Sequence, residues 1–136
     1  MRAALDTNVL IPGLLWRGNP HQCILAAEAG LYELVMADPI LEELREKLIE
    51  KFGNTPQEAD ESALGLRRNA TVVMLTGQSG WVPADPDDDK FVDAAIVGNA
   101  DVIVSGDHHL LKLGSLQGIS ILSPRQFLDR LATAAE

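Results

Sequence analysis

Short apolar or β-branched runs alternate along the chain with longer segments whose apolar residues recur at helical spacing. The runs at 3–5, 33–36, 71–75, 102–104 and 119–122 are too short for helices and read as strands. Between them the period changes. In 39–52, Ile40, Leu41, Leu44, Leu48 and Phe52 fall within one third of a turn at about 100° per residue, while Glu42, Glu46 and Glu50 point elsewhere. One face of that helix should meet a sheet and the other should meet water. Phe91, Ala94 and Ala95 make a shorter apolar face of the same kind. Strands alternating with helices predict an α/β domain with a mainly parallel sheet.

Helix starts are marked by four pairs: Asn19-Pro20, Asp38-Pro39, Thr55-Pro56 and Ser123-Pro124. Each places a side-chain oxygen where an N-cap is needed and a proline where its missing N–H costs nothing. Glu58 follows Thr55, and Gln126 follows Ser123, at the capping-box spacing. These prolines punctuate the fold and carry no chemistry.

The 136 residues, 46% of them hydrophobic, suffice for one domain with a substantial core and are too few for two ordinary ones. No run approaches the roughly 18 apolar residues of a membrane span. Asp6 interrupts the first apolar run too early for a signal peptide. The expectation is a soluble cytoplasmic protein. The single cysteine, Cys23, has no internal disulfide partner and lies among Ile24, Leu25 and Ala26, as a small buried hydrophobe would.

Charge narrows the picture further. With 11 basic and 20 acidic side chains the net charge is −9, so composition offers no basic footprint for nucleic acid. A polyanionic substrate would need another device. Carboxylates holding divalent cations are one, because the metal inverts the local field.

In parallel α/β sheets the ligand crevice lies beyond the carboxyl ends of the strands. Asp6 follows the first strand run, and a carboxylate in that apolar setting is costly unless paired, capped or bound to metal. Asp107, in "VIVSGDHHLL", stands just beyond another strand end. Either could simply cap the helix that follows it. A third group of acids is crowded into "VPADPDDDKFVDAA" at 82–95: Asp85, Asp87, Asp88, Asp89 and Asp93. As a calcium loop this stretch fails, with Lys90 where a glycine is needed and Ile96 where a bidentate glutamate belongs. Acids favourable at a helix N-terminus remain the plain reading for most of the five.

Taken in order, "LDTNVLI", "ILEELREKL", "DPDDDKFVDAAIVGNADVIVSGD" and "LLKL...GISILSPRQFL" resemble the PIN-domain nucleases. The resemblance covers essentially the whole chain and is nearest to a bacterial branch of toxin components of toxin–antitoxin pairs, akin to VapC toxins. It implies a three-layer α/β/α fold around a parallel five-stranded sheet. It also implies three or four acids that hold one or two Mg2+ or Mn2+ ions for RNA hydrolysis. Carried over by motif, the acids are Asp6, with Asn8 as the polar neighbour; Glu43 of "EEL"; Asp89; and Asp107, preceded by Ser105. Glu42 and Glu43 flank the apolar stripe at similar angles, so the choice of Glu43 rests on the resemblance alone. Asp89 follows from the family's spacing to the strand-end acid, and Asp93, one turn on, is the alternate or supporting residue. Asp85 and Asp87 are expected in loop and capping roles.

Hard oxygen ligands suit Mg2+ or Mn2+, which can activate a water for in-line attack without a side-chain nucleophile. Two other readings compete. A phosphoaspartate phosphatase would need an acid where Asn8 stands. A PIN-like domain acting only as a binding module would not need all four acids. The resemblance also implies a homodimer and a small antitoxin whose segment covers the acidic pocket. His21, His108 and His109 lack zinc-site spacing, Trp16 and Trp81 read as core or interface residues, and Arg17, Arg45, Lys47 and Lys90 are the candidate phosphate contacts.

Overall fold

The computed structural model describes residues 1–78, 80–81 and 89–134, so Asp85, Asp87 and Asp88 lie outside the described residues. The elements are β1 (Arg2–Leu5), α1 (Thr7–Leu15), α2 (Asn19–Glu28), β2 (Glu33–Met36), α3 (Asp38–Phe52), α4 (Pro56–Arg68) and β3 (Ala70–Val72). They continue with α5 (Asp89–Val97), β4 (Val102–Val104), α6 (His108–Leu113), β5 (Ser115–Leu116), β6 (Ile119–Leu122) and α7 (Pro124–Ala134).

The strands lie in the order β3-β2-β1-β4-β6-β5. Every pairing from β3 to β6 is parallel, which gives the expected five parallel strands. The sequence reading missed β5, a two-residue antiparallel edge on β6. Two residues carry no period, so nothing in the pattern marked it. The third run also ends sooner than expected: β3 stops at Val72.

Consecutive residues of β1 and β4 are fully buried, so both faces of the central strands are covered, as an α/β/α arrangement requires. On one side α5 packs against β1, β2 and β4. Gly98, just after α5, makes this approach possible, since a Cβ there would lie 2.5 Å from Val35 Cγ1 on β2. β1 sits between β2 and β4, and the chain leaves it first toward one edge and later toward the other. That is a topological switch point, where α/β sheets open their crevice.

The caps divide into two kinds. Thr55 and Glu58 form the reciprocal capping box, and Ser123 and Gln126 exchange the same two hydrogen bonds. Asn19 and Asp38 do not cap. They are the first residues of α2 and α3, behind Gly18 and Ala37, and Asp38 instead pairs with Arg67 at 3.1 Å. The buried stripe of α3 is Ile40, Leu41, Leu44 and Leu48. Phe52, expected on that stripe, is the last residue of α3; it is 41% exposed and meets Trp16 edge to face.

Candidate metal centre

Asp6 is the residue at which β1 becomes α1, and it is only 1% exposed. Its backbone N–H continues the ladder to the Val104 carbonyl at 3.1 Å, which fixes it beside the end of β4. One carboxylate oxygen accepts the Val9 N–H at 3.1 Å and caps α1. The other accepts the hydroxyl of Ser105, a fully buried residue at the end of β4. The same Ser105 oxygen receives the Asp107 N–H at 3.0 Å, so one hydroxyl ties the two strand-end acids together. Asp107 in turn caps α6 through His109 N–H at 2.8 Å. Capping, the plain reading of both acids, is therefore real, and each acid stands at the crevice as well.

Burial is the main force on the Asp6 carboxyl and pushes its pKa up to about 6. Hydrogen bonds from Ser105, Val9 and Asn8 oppose the rise, and the nearby negative charge of Asp107 adds to it. Among the described residues neither acid forms an ion pair. A buried carboxylate beside a second, partly exposed one that repels it fits a hard divalent cation.

Glu43 and Glu42, which the helical wheel left equivalent, face different neighbours. Glu42 is exposed and lines a cavity of about 400 Å³ between α3 and α4, with Arg45, Asp60 and Leu64. Glu43 turns toward α5, where Lys90 Nζ lies 2.9 Å from Oε2, and Lys47 Nζ lies 3.2 Å from Oε1. Burial pushes the Glu43 carboxyl up, but the two ammonium groups outweigh it and hold its pKa below the usual range.

Asp89 and Asp93 are both buried on α5, one turn apart, and both hold the segment that follows β3. Asp89 Oδ2 accepts the Gly80 N–H at 3.0 Å. Asp93 accepts Thr76 N–H at 2.8 Å, Thr76 Oγ1–H at 2.7 Å and Gly77 N–H at 3.0 Å. Sequence reasoning offered Asp93 as an alternate ligand and did not anticipate this anchoring. The only available signal was the Thr76-Gly77 pair, a turn former whose partner is distant in sequence. Among the described residues no three His, Cys, Asp or Glu side chains converge tightly enough to hold a metal by themselves. Asp6 and Asp107 are the pair the fold brings together.

The remaining candidates are peripheral. Asn8 is exposed on α1. His21 Nδ1 hydrogen-bonds the Gly13 carbonyl at 2.8 Å, and His108 and His109 are exposed at the start of α6. Cys23 is buried, and burial pushes its thiol up to about 12. Trp81 packs against the core, whereas Trp16 is 58% exposed. Arg45 is paired with Asp60 on α4.

No helix among the described residues is long and apolar enough to cross a membrane. The sequence model of the PIN domain matches residues 2–109, which takes in β1 through the start of α6 and all four carried-over acids. No curated protein matches the chain. Among solved structures, the chain is similar in fold to PAE2754 from Pyrobaculum aerophilum, with a TM-score of 0.58 and 14% identity over 98% of this chain and 90% of that one. The family match spans most of the sequence: the chain belongs to the PIN-domain family.

Proposed function

We propose that the chain is a Mg2+- or Mn2+-dependent ribonuclease in which Asp6, Glu43, Asp89 and Asp107 are the cation-holding carboxylates. The observation that supports it best is Asp6, a carboxylate buried at the switch point of the sheet beside a second acid, with no cationic side chain paired to it among the described residues. An isolated buried charge of this kind is costly unless something neutralises it. When bound, the divalent cation supplies a water of lowered pKa and neutralises charge developing on the phosphate. The protein's own part is orientation. Ser105 and the Val9 N–H fix the Asp6 oxygens, the Ser105 oxygen holds the Asp107 backbone, and Gly80 fixes one oxygen of Asp89. Ser105, and Asn8 as the polar neighbour of Asp6, are supporting residues in this assignment.

The test is hydrolysis of structured and single-stranded RNAs with Mg2+, with Mn2+ and with EDTA. Cleavage should need the metal and should be lost in Asp6→Ala and Asp89→Asn. Retained cleavage in either variant would remove that residue from the assignment.

The same reading makes the chain the toxin of a type II toxin–antitoxin pair, acting in the cytoplasm as a homodimer and silenced by an antitoxin segment over the acidic pocket. Its support is the likeness of all four motifs to that branch of the family. Co-purification of a small partner encoded beside it is the direct test. One observation favours a second reading, a non-catalytic binding module: both oxygens of Glu43 are taken by lysines. A titration in which Mn2+ does not bind would select it.

A further inference from the structure

Lys90 follows Asp89 directly on α5, and its ammonium reaches α3, 2.9 Å from Glu43 Oε2 across 47 residues of sequence. Lys47 holds the other oxygen, but that contact is an ordinary i,i+4 pair within one helix. The Lys90 pair differs in kind. It joins two helices that carry separate members of the acid set, and it brings positive charge to the crevice of a chain whose net charge is −9. Of the other basic candidates, Arg45 is committed to Asp60 near α4.

We propose that Lys90 is a displaceable counter-ion: it holds the Glu43 carboxylate until a divalent cation takes it, and then presents its ammonium to a phosphate of the RNA strand. The inference rests on the nuclease reading above. Three observations carry it. The Lys90 side chain is 44% exposed and Glu43 only 21%, so the lysine has the solvent side of the pair and the carboxylate the enclosed side. A half-exposed ion pair is weak because water screens it, so a doubly charged hard cation can compete for the carboxylate. Lysine is a compact, flexible point charge suited to a phosphate oxygen, and its place beside Asp89 keeps it near the candidate acids.

The experiment compares the full chain with Lys90→Met and Lys90→Arg. Mn2+ affinity is measured by calorimetry, and binding of a fluorescein-labelled single-stranded RNA by anisotropy with Mn2+ present. Lys90→Met should bind Mn2+ about three- to tenfold tighter and RNA about three- to tenfold more weakly, with the loss of hydrolysis in KM and not in kcat. Lys90→Arg should restore RNA binding. A merely structural ion pair would not move the two affinities in opposite directions. Unchanged or weaker Mn2+ binding in Lys90→Met, or unchanged RNA binding, overturns the inference and leaves the nuclease reading standing. A wild-type chain that binds no Mn2+ overturns both.

Discussion

Asp93 grips Thr76 twice, through its backbone N–H at 2.8 Å and its hydroxyl at 2.7 Å, and so fastens the exit of β3 to the buried face of α5. Gly77 adds a third donor to the same carboxylate. Asp93→Ala would leave these donors without their acceptor in a part-buried setting, at a cost of about 3 kcal/mol. Asp93→Asn, which keeps one acceptor oxygen, should lose less. Urea denaturation gives both values. A change below about 0.5 kcal/mol for Asp93→Ala, the range of an ordinary surface substitution, would mean the grip contributes nothing.

Asp6 makes the metal-free protein pay for its site. Its folded pKa of about 6 lies above the unfolded 3.8, so the native state binds the proton more tightly. The sign follows: the cost of the buried charge is absent below the unfolded value of 3.8, builds as pH rises through the folded value of about 6, and is constant above it. In EDTA at pH 7.5, Asp6→Asn should therefore raise stability by roughly 2–3 kcal/mol. The gap between variant and wild type should close as pH drops toward 4. Thermal melts across that range measure it, and an unchanged or lower melting temperature for Asp6→Asn at pH 7.5 would contradict it.

Ser105 serves both strand-end acids with one hydroxyl, donating to Asp6 and accepting from Asp107 N–H. Groups that orient a ligand typically change metal affinity by about 10- to 100-fold when removed. Ser105→Ala should weaken Mn2+ binding by that order, and Ser105→Thr should recover part of it. Calorimetric titration of the two variants decides the point; equal affinity in Ser105→Ala and wild type would reduce the serine to packing.

Gly98 is a prediction about the frame and not about the chemistry. A methyl group there would press on Val35 at 2.5 Å, so Gly98→Ala should destabilise the protein by about 1–3 kcal/mol. Adding Val35→Ala should recover part of the loss, because the two residues share one contact. Additive losses in the double variant would show that α5 shifts to absorb the methyl group instead.

Much of this was legible in the chain because it is local. The run at 33–36 and the Thr55 and Ser123 caps need only their own neighbours, and they stand where the sequence placed them. Asn19 and Asp38 precede a proline just as those caps do, yet their helices begin one residue earlier, and Asp38 is drawn to Arg67 on α4. The division between Glu42 and Glu43 was hidden for the same reason. Both lie beside the apolar stripe, and only the positions of α4 and α5 give them different surroundings. Asp89 and Asp93 share a buried face, and what separates them is which residues after β3 each one holds.

The placing of β1 between β2 and β4 also has a consequence for synthesis. The two acids come from segments far apart in the chain: Ser105, which joins them, lies 99 residues after Asp6. Asp6 is made long before its partner, and the pair is incomplete until β4 has been made and has docked beside β1. The acid pair therefore forms only by long-range closure of the sheet, and no local segment of the chain can assemble it alone.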